Sequence, residues 1–282
     1  MEFYHDTADA YVPDGIDVKS ALERTTHLSI TAHQDDTEIG AIHGIITCFG
    51  QKDKWFTGVT MTNGAGSPRA GIYGDYSDED MIKVRQVEQR KAAVIGEYSA
   101  HLQLGYISSE LKESCKQQAV SDLVSILEEA CPEFVYLHNP ADKHETHVAV
   151  SLRAIAALRQ LPEDKRPKKV YGCEVWRDLD WMMDDEKQVL PVSDDNNIAA
   201  ALISVFDSQV AGGKRYDLAS AGRRLANATY FASHDTDDFD GINYAMDLTP
   251  LIEDSSLSVV EYVDGAIERF KSDVNEKISK LS

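Results

Sequence analysis

The chain is short of cysteine, of positive charge and of long apolar runs, and each shortage excludes something. Its four cysteines, Cys48, Cys115, Cys131 and Cys173, lie far apart and form no C-x-x-C pair. That argues against a zinc knuckle or a dithiol redox centre, and reduced, mostly buried thiols are expected. Lysine and arginine total 28 against 48 acids, a formal net charge of −20. Such a chain repels nucleic-acid phosphates and anionic membranes, so neither is expected as a partner, and the same charge also serves solubility. No stretch approaches the roughly 18 apolar residues of a membrane span. The opening MEFYHDTADAYVPDG has no basic flank and no apolar core. It does not read as a signal peptide, and a cytoplasmic location is expected. No internal repeat and no low-complexity linker is evident.

With 282 residues, 43% of them hydrophobic, the chain can bury one large core, or one core with an appended lobe. HLSITA (27–32), WFTGVTMTN (55–63), HLQLGY (101–106), EFVYLH (133–138) and KKVYGCEVW (168–176) read as strands. Between them, helical spacing runs through Ile39, Ile42, Ile45, Ile46 and Phe49, then through 79–97, 116–130 and 144–159. Repeated β-α-β units predict an α/β fold, a mostly parallel sheet with helices on both faces. The last hundred residues are less regular. ISVFDSQV and KRYDLASAGRRLANATYFA look helical, DGINYAMDLTPL suggests a strand and turn, and 257–281 a surface helix. A single domain is expected, with its core at about 25–180 and a C-terminal elaboration at about 181–282. The loop 64–80, rich in Gly, Pro and Ser, is long for a simple connection and points to function or mobility.

Ligands of parallel sheets gather beyond the carboxyl ends of the strands. Two polar clusters fall there, AHQDDTE (32–38) and HNPADKHETH (138–147). Together they offer His33, Asp36, His144 and His147, with further acids beside them. Asp142 and Glu145 match a D-x-x-E capping box, with Asp142 as N-cap. His144 and His147, three apart in the first turns of the helix, share one face. Two histidines and a carboxylate are a familiar catalytic zinc set, leaving an open position for chemistry. Asp35 and Asp36 before a helix are equally natural as caps and dipole partners.

AHQDDTE resembles the A-H-P-D-D-E signature of the LmbE-like (PIG-L) N-deacetylases, and DKHETH their D-x-H-P-D-H. VRQVEQRKAAVIG (84–96) is similar to the family's R-x-x-E-x-x-x-A-x-x-x-L-G helix, and the order and spacing agree from residue 27 to about 155. The resemblance implies a Rossmann-like layered fold and a zinc-dependent enzyme removing acyl groups, commonly acetyl, from N-acylated sugars. Iron in place of zinc remains open. It implies that His33, Asp36 and His147 bind the metal, that Asp35 is the general base, and that His144 sits near the oxyanion or leaving nitrogen. Asp142 is then either a hydrogen-bond partner that raises the basicity of His144 or only the cap. Arg85 matches the family's arginine, a substrate-contacting or loop-holding residue, against a plain surface pair with Glu88. Asn63 ends a strand on the active edge, as a contact for a substrate hydroxyl or as a turn. Gln34 replaces the family's proline, and Glu145-Thr146 its Pro-Asp. Thr37 stands in place of the family's glutamate, and Glu38 is expected to be a helix-start acid. Glu174, Trp176 and Arg177 are candidates for the far wall, with Trp176 either stacking on a sugar or buried in the core. His234, in SHDTDD, is a candidate for closing the pocket or, as the simpler expectation, an exposed loop histidine.

With these residues, the resemblance implies a metal-dependent hydrolase that deacetylates the nitrogen of an amino sugar or its conjugate, a small-molecule partner. A homo-oligomer is allowed. Two alternatives stand beside it. One is an amidase of larger thiol–sugar conjugates, the other a non-catalytic, metal-containing sugar-binding protein. The free Asp35 argues against the last. A nucleotide-binding protein is disfavoured, because no G-x-G-x-x-G follows the first strand.

Overall fold

The β-branched and aromatic runs of the first half lie side by side in one sheet. The computed structural model of the chain describes residues 1–114 and 117–282. Its eight strands are β1 (Asp9–Tyr11), β2 (His27–Thr31), β3 (Phe56–Thr62), β4 (Ala100–Tyr106), β5 (Phe134–His138), β6 (Lys169–Cys173), β7 (Gln188–Pro191) and β8 (Ile242–Asp247). They are ordered β1-β4-β3-β2-β5-β6-β8-β7. The five strands from β4 to β6 are mutually parallel. The edges differ, since β1 runs antiparallel to β4, and β8 and β7 continue from β6 as antiparallel neighbours. The predicted mostly parallel α/β sheet is therefore present, with antiparallel margins.

Every residue of β2 and β3 is buried. That is the signature of parallel strands covered on both faces. Leu28 and Ile30 join one apolar cluster with Val59, Leu123 and Val150, while Ile42, Ile45, Phe56, Tyr98 and Tyr136 belong to a second. From β2 the chain steps outward through β3 and β4, then returns to place β5 on the other side of β2. Strand order thus reverses between β2 and β5, where such sheets open a crevice beyond their carboxyl ends. Both polar clusters seen in the sequence follow these two strands.

Several boundaries differ from the sequence reading. The helix expected after β2 is split at Ala41 into Asp36–Gly40 and Ile42–Cys48. The segment 203–210 is likewise split, where the chain turns to bury Phe206 completely. The short edge strands β1 and β7 carry no period long enough to read. Helices Asp78–Ile95, Gln118–Ala130, Glu145–Leu158 and Tyr216–Tyr230 lie where periodicity put them, and Val259–Leu281 is the expected surface helix. Cys48 and Cys173 are buried as expected, but Cys131 is exposed, in the left-handed residue that ends its helix. Cys115, and the first position of the helix expected at 116–130, lie outside the described residues. Among the described residues no helix is long and apolar enough to cross a membrane.

Candidate functional site

Just past β2 the chain makes a sharp turn through Ala32, His33, Gln34 and Asp35. Asp35 has φ 86°, a conformation that L-residues other than glycine seldom adopt without support. The support comes from the helix Asp78–Ile95. Gln89 Oε1 accepts the Asp35 N–H at 3.3 Å, while Arg85 Nη2 donates to Asp35 Oδ2 at 2.8 Å and also to the Gln34 carbonyl. Gly64, at φ 79°, lets the next loop pass tightly over the same place. A Cβ there would lie 2.7–2.9 Å from Gln34 and Arg85 side-chain atoms. Arg85 is only 1% exposed, so its contact with Glu88, 3.2 Å long, is a buried pair and not the surface pair that spacing suggested. Asp35 occupies the N-cap place of the helix Asp36–Gly40, yet its side chain caps nothing. The capping role proposed for the two aspartates is therefore not realised.

Three side-chain atoms converge instead. His33 Nδ1 lies 3.0 Å from Asp36 Oδ2, His147 Nε2 lies 3.2 Å from the same oxygen, and the two ring nitrogens are 3.2 Å apart. Nitrogen ligands about 2.0–2.1 Å from one tetrahedral ion would stand roughly 3.3 Å from each other. The spacing of the triangle fits that requirement. Tautomer logic agrees. His147 Nδ1 faces Asp142 Oδ2 at 3.4 Å, which draws the ring proton to that side and turns the Nε2 lone pair toward Asp36 and His33. The group His33, Asp36 and His147, and a second one of His138, Asp142 and His147, have the proximity a metal ion needs.

The electrostatics also favour a cation here. Burial disfavours a charged His147, but Asp36 and Asp142 outweigh it and raise its pKa to about 9. Burial likewise opposes the Asp36 charge, yet His147 and His33 hold its carboxyl well below the usual range. Asp35 behaves differently. Burial pushes it up to about 6, against the pull of Arg85 and with a further push from Asp36.

The second cluster departs from the sequence reading in one respect. Asp142 is not an N-cap and the D-x-x-E box is not formed. His144 is the N-cap of Glu145–Leu158, and its Nδ1 accepts the Thr146 N–H at 3.3 Å. Asp142 accepts the backbone N–H of His144 at 3.0 Å and of Trp176 at 3.1 Å, and its ring partner is His147, not His144. Because the Thr146 N–H occupies Nδ1, the neutral His144 ring carries its proton on Nε2. Burial and the neighbouring His147 lower its pKa to about 4, so the ring is neutral near pH 7.

These groups open onto a cleft of about 680 Å³, whose wall includes His33, Asp35, Asp36, Arg85, His144 and Trp176. Residues 64–68 of the long loop line it too, and the loop is tied down farther on by Tyr73, whose hydroxyl donates to Asp207 at 2.6 Å. Asn63 is on the wall, with its Oδ1 accepting the Ala65 N–H at 3.1 Å, so the turn role is realised. Trp176 is half-buried at the wall and not in the core, 5.0 Å from the Lys214 ammonium and edge-on to Tyr216. Glu174 is buried, accepting from Asn227, Tyr244 N–H and Leu179 N–H. Arg177 and His234 are exposed and off this cleft.

Sequence reasoning missed several neighbours. His138, the last residue of β5, stacks on His147 with centroids 3.8 Å apart and accepts the Ala32 N–H at 2.8 Å. Its place at the end of the strand beside β2 was the available signal. Glu38 is wholly buried and not a solvated dipole partner. Gln89 and Tyr98 donate to one of its oxygens at 2.7 and 2.8 Å, and the other has no partner. Tyr216 and Lys214 lie in KRYDLA (214–219), a segment only loosely similar to the family, and neither residue stood out as a site candidate.

Residues 28–158 match the PIG-L family, described as GlcNAc-PI de-N-acetylase. A curated relative, the uncharacterized deacetylase YaiS of Escherichia coli (strain K12), is 30% identical over 152 residues, covering 54% of this chain and 78% of that protein. The chain belongs to the PIG-L family. It is thus an enzyme of the deacetylase family. Solved structures share the family's fold at lower identity. The N,N'-diacetylchitobiose deacetylase of Pyrococcus horikoshii superposes with a TM-score of 0.58 at 16% identity, over 78% of this chain and 83% of that one. GalB, the 4-carboxy-2-hydroxymuconate hydratase of Pseudomonas putida KT2440, reaches 0.62 at 16% identity, over 79% and 95%. A deacetylase and a hydratase on one architecture place the choice of reaction in the site and not in the fold.

Proposed function

We propose that this enzyme removes an acetyl or related acyl group from the nitrogen of an N-acetylated amino sugar or its conjugate. The observation that carries the reading is a carboxylate with no share in the triangle, Asp35, buried beside His33, Asp36 and His147. A purely structural metal site has no use for such a group. His33, Asp36 and His147 would hold a divalent cation, zinc or iron, which when bound polarises a carbonyl and acidifies a water.

The chain's own groups supply the rest. Arg85 fixes Asp35 through Oδ2. Its pKa of about 6 suits a general base that takes a proton from water near neutral pH. His144, with its proton on Nε2, donates a hydrogen bond to the amide oxygen as negative charge gathers there. Asp35, now protonated, passes its proton to the departing nitrogen, so that a carboxylate and a free amine leave. Trp176, on the wall of the cleft, offers a platform for a sugar ring. The cleft volume of about 680 Å³ lies well inside the range of small-molecule sites and favours a conjugate over a bare monosaccharide.

The test is acetate release from a panel of N-acetyl sugars and their glycosides, with and without chelator. Chelator-sensitive release supports the reading. Tight sugar binding with no release from any substrate would instead fit the non-catalytic alternative.

A further inference from the structure

Behind Trp176 and Tyr216 lies a second cavity of about 280 Å³, which shares those two residues and Asp36 with the main cleft. It brings together Lys143, Arg223 and Arg224. In a chain with 48 acids and 28 bases, three cations at one small cavity are unexpected unless acids pair with them. They do not. Among the described residues no carboxylate lies within 4 Å of any of the three, although ion pairs are common elsewhere in the molecule. Arg224 is only 8% exposed. Its Nε donates to Asn243 Oδ1 at 3.3 Å and its Nη2 to the carbonyls of Glu38 and Ile39 at 3.0 and 3.2 Å. All these acceptors are neutral, so its charge is not cancelled by contact. Arg223 spends one nitrogen on the Val175 carbonyl, and Lys143 makes no hydrogen bond or ion pair among the described residues.

Two carboxylates also face this cavity, and Glu174 acts through space, without direct contact, on Arg223 and Arg224, offsetting one of the three charges. Glu174 accepts Asn227 Nδ2 and the Tyr244 N–H on Oε1, and the Leu179 N–H on Oε2. Asp36 is held by His33 and His147. Three cations against the one free charge of Glu174 leave an excess of positive charge around a largely buried guanidinium, which is costly unless something else neutralises it. We propose that the cavity is an anion subsite, which receives a carboxylate or phosphate carried by the substrate while the acylated nitrogen sits at the His33–Asp36–His147 centre. Trp176 and Tyr216 would stand between the two compartments, against the body of the substrate. This substrate class rests on the deacetylase reading, whereas the anion site itself does not.

Two measurements on the full chain separate the two. In the first, inorganic phosphate and malonate are titrated calorimetrically into wild type and into Lys143→Gln, Arg223→Gln and the double variant. Saturable binding is expected, weakened about tenfold per lost cation, the worth of one charge-assisted hydrogen bond, and weakened further by salt. In the second, acetate release is compared among N-acetylglucosamine 1-phosphate, an N-acetylglucosaminide with a carboxylate aglycone, and the neutral methyl glycoside. The ratio of kcat/KM for an anionic over the neutral substrate is expected to exceed tenfold and to fall about tenfold in Arg223→Gln. Which anionic substrate leads tells carboxylate from phosphate. Lys143 is exposed, so its variant keeps the fold whatever happens at Arg223. Anion binding equal in wild type and double variant, or no binding at all, overturns the subsite. Anion binding that responds to the variants, with no acetate from any substrate, upholds the subsite and overturns the deacetylase reading instead.

Discussion

Replacing Asp142 by asparagine removes one charge and leaves the shape of the site nearly unchanged. Asp142 Oδ2 lies 3.4 Å from His147 Nδ1, and both side chains are wholly shielded from solvent. Two full charges at that separation, in an effective dielectric of 20, would interact by about 5 kcal/mol. A neutral, metal-binding imidazole presents only an N–H dipole, so the effect on the metal is a fraction of this. Partners of this kind usually contribute 10- to 100-fold in metal affinity, roughly 1.5–3 kcal/mol. Asp142→Asn should therefore weaken zinc binding by about 10- to 100-fold, measured by competition with a chromophoric chelator at constant pH. The pH dependence carries a second signature. In wild type the His147 proton, with a pKa of about 9, must leave before the ring can bind metal. Affinity should rise as pH approaches 9 and flatten above it, and in the variant the plateau should begin at lower pH. A folded Asp142→Asn protein with an unchanged zinc dissociation constant and the same pH profile would refute this account of His147.

Other expectations follow from the same geometry. Asp35→Asn should cut turnover by about 10²–10⁴-fold with metal content intact, as read by acetate release beside elemental analysis, and full turnover would remove Asp35 as the base. His144→Ala should lower kcat by about 10²-fold and change KM little, in keeping with a donor used in the transition state, whereas an effect confined to KM would make it a binding residue. Glu38 is buried, and burial lifts its pKa from the usual 4.5 to about 7, despite hydrogen bonds from Tyr98 and Gln89. The folded chain then binds this proton more tightly than the unfolded chain. The group's favourable share is complete below about pH 4.5 and declines as pH rises toward 7. Glu38→Gln should thus gain up to about 3 kcal/mol relative to wild type above pH 7, and the gap should close in acid. Denaturant midpoints across that range provide the check, and a gap independent of pH would contradict it.

How far the sequence was legible depended on period and position. The interior strands are nearly continuous β-branched and apolar runs, because both faces of a parallel sheet are covered, and they stood out. So did His33, Asp36 and His147, which sit beside strand ends in recognisable signatures. The edge strands β1 and β7, of three and four residues, are too short for a period, and their pairing is decided by tertiary contact. The D-x-x-E pattern at Asp142 misled, because a local rule met a tertiary competitor. Asp142 turns to His147 and the Trp176 N–H, and His144 takes over the cap. Glu38 looked like an ordinary first-turn acid, since nothing in its neighbourhood of sequence reveals that Tyr98 and Gln89 close over it. Arg224 and Asn243 hold the carbonyl end of the Asp36–Gly40 turn from 185 to 204 residues away, beyond the reach of any spacing argument.

The central claim is a metal-dependent N-deacylation at His33, Asp36 and His147. The most direct test measures metal content and acetate release on one purified sample, before chelation, after it, and after zinc is restored. One ion per chain, release abolished by chelator and recovered with zinc, and loss of both ion and release in His147→Ala are the predicted results. Undiminished release from metal-free protein, or full metal occupancy in His147→Ala, would contradict the account.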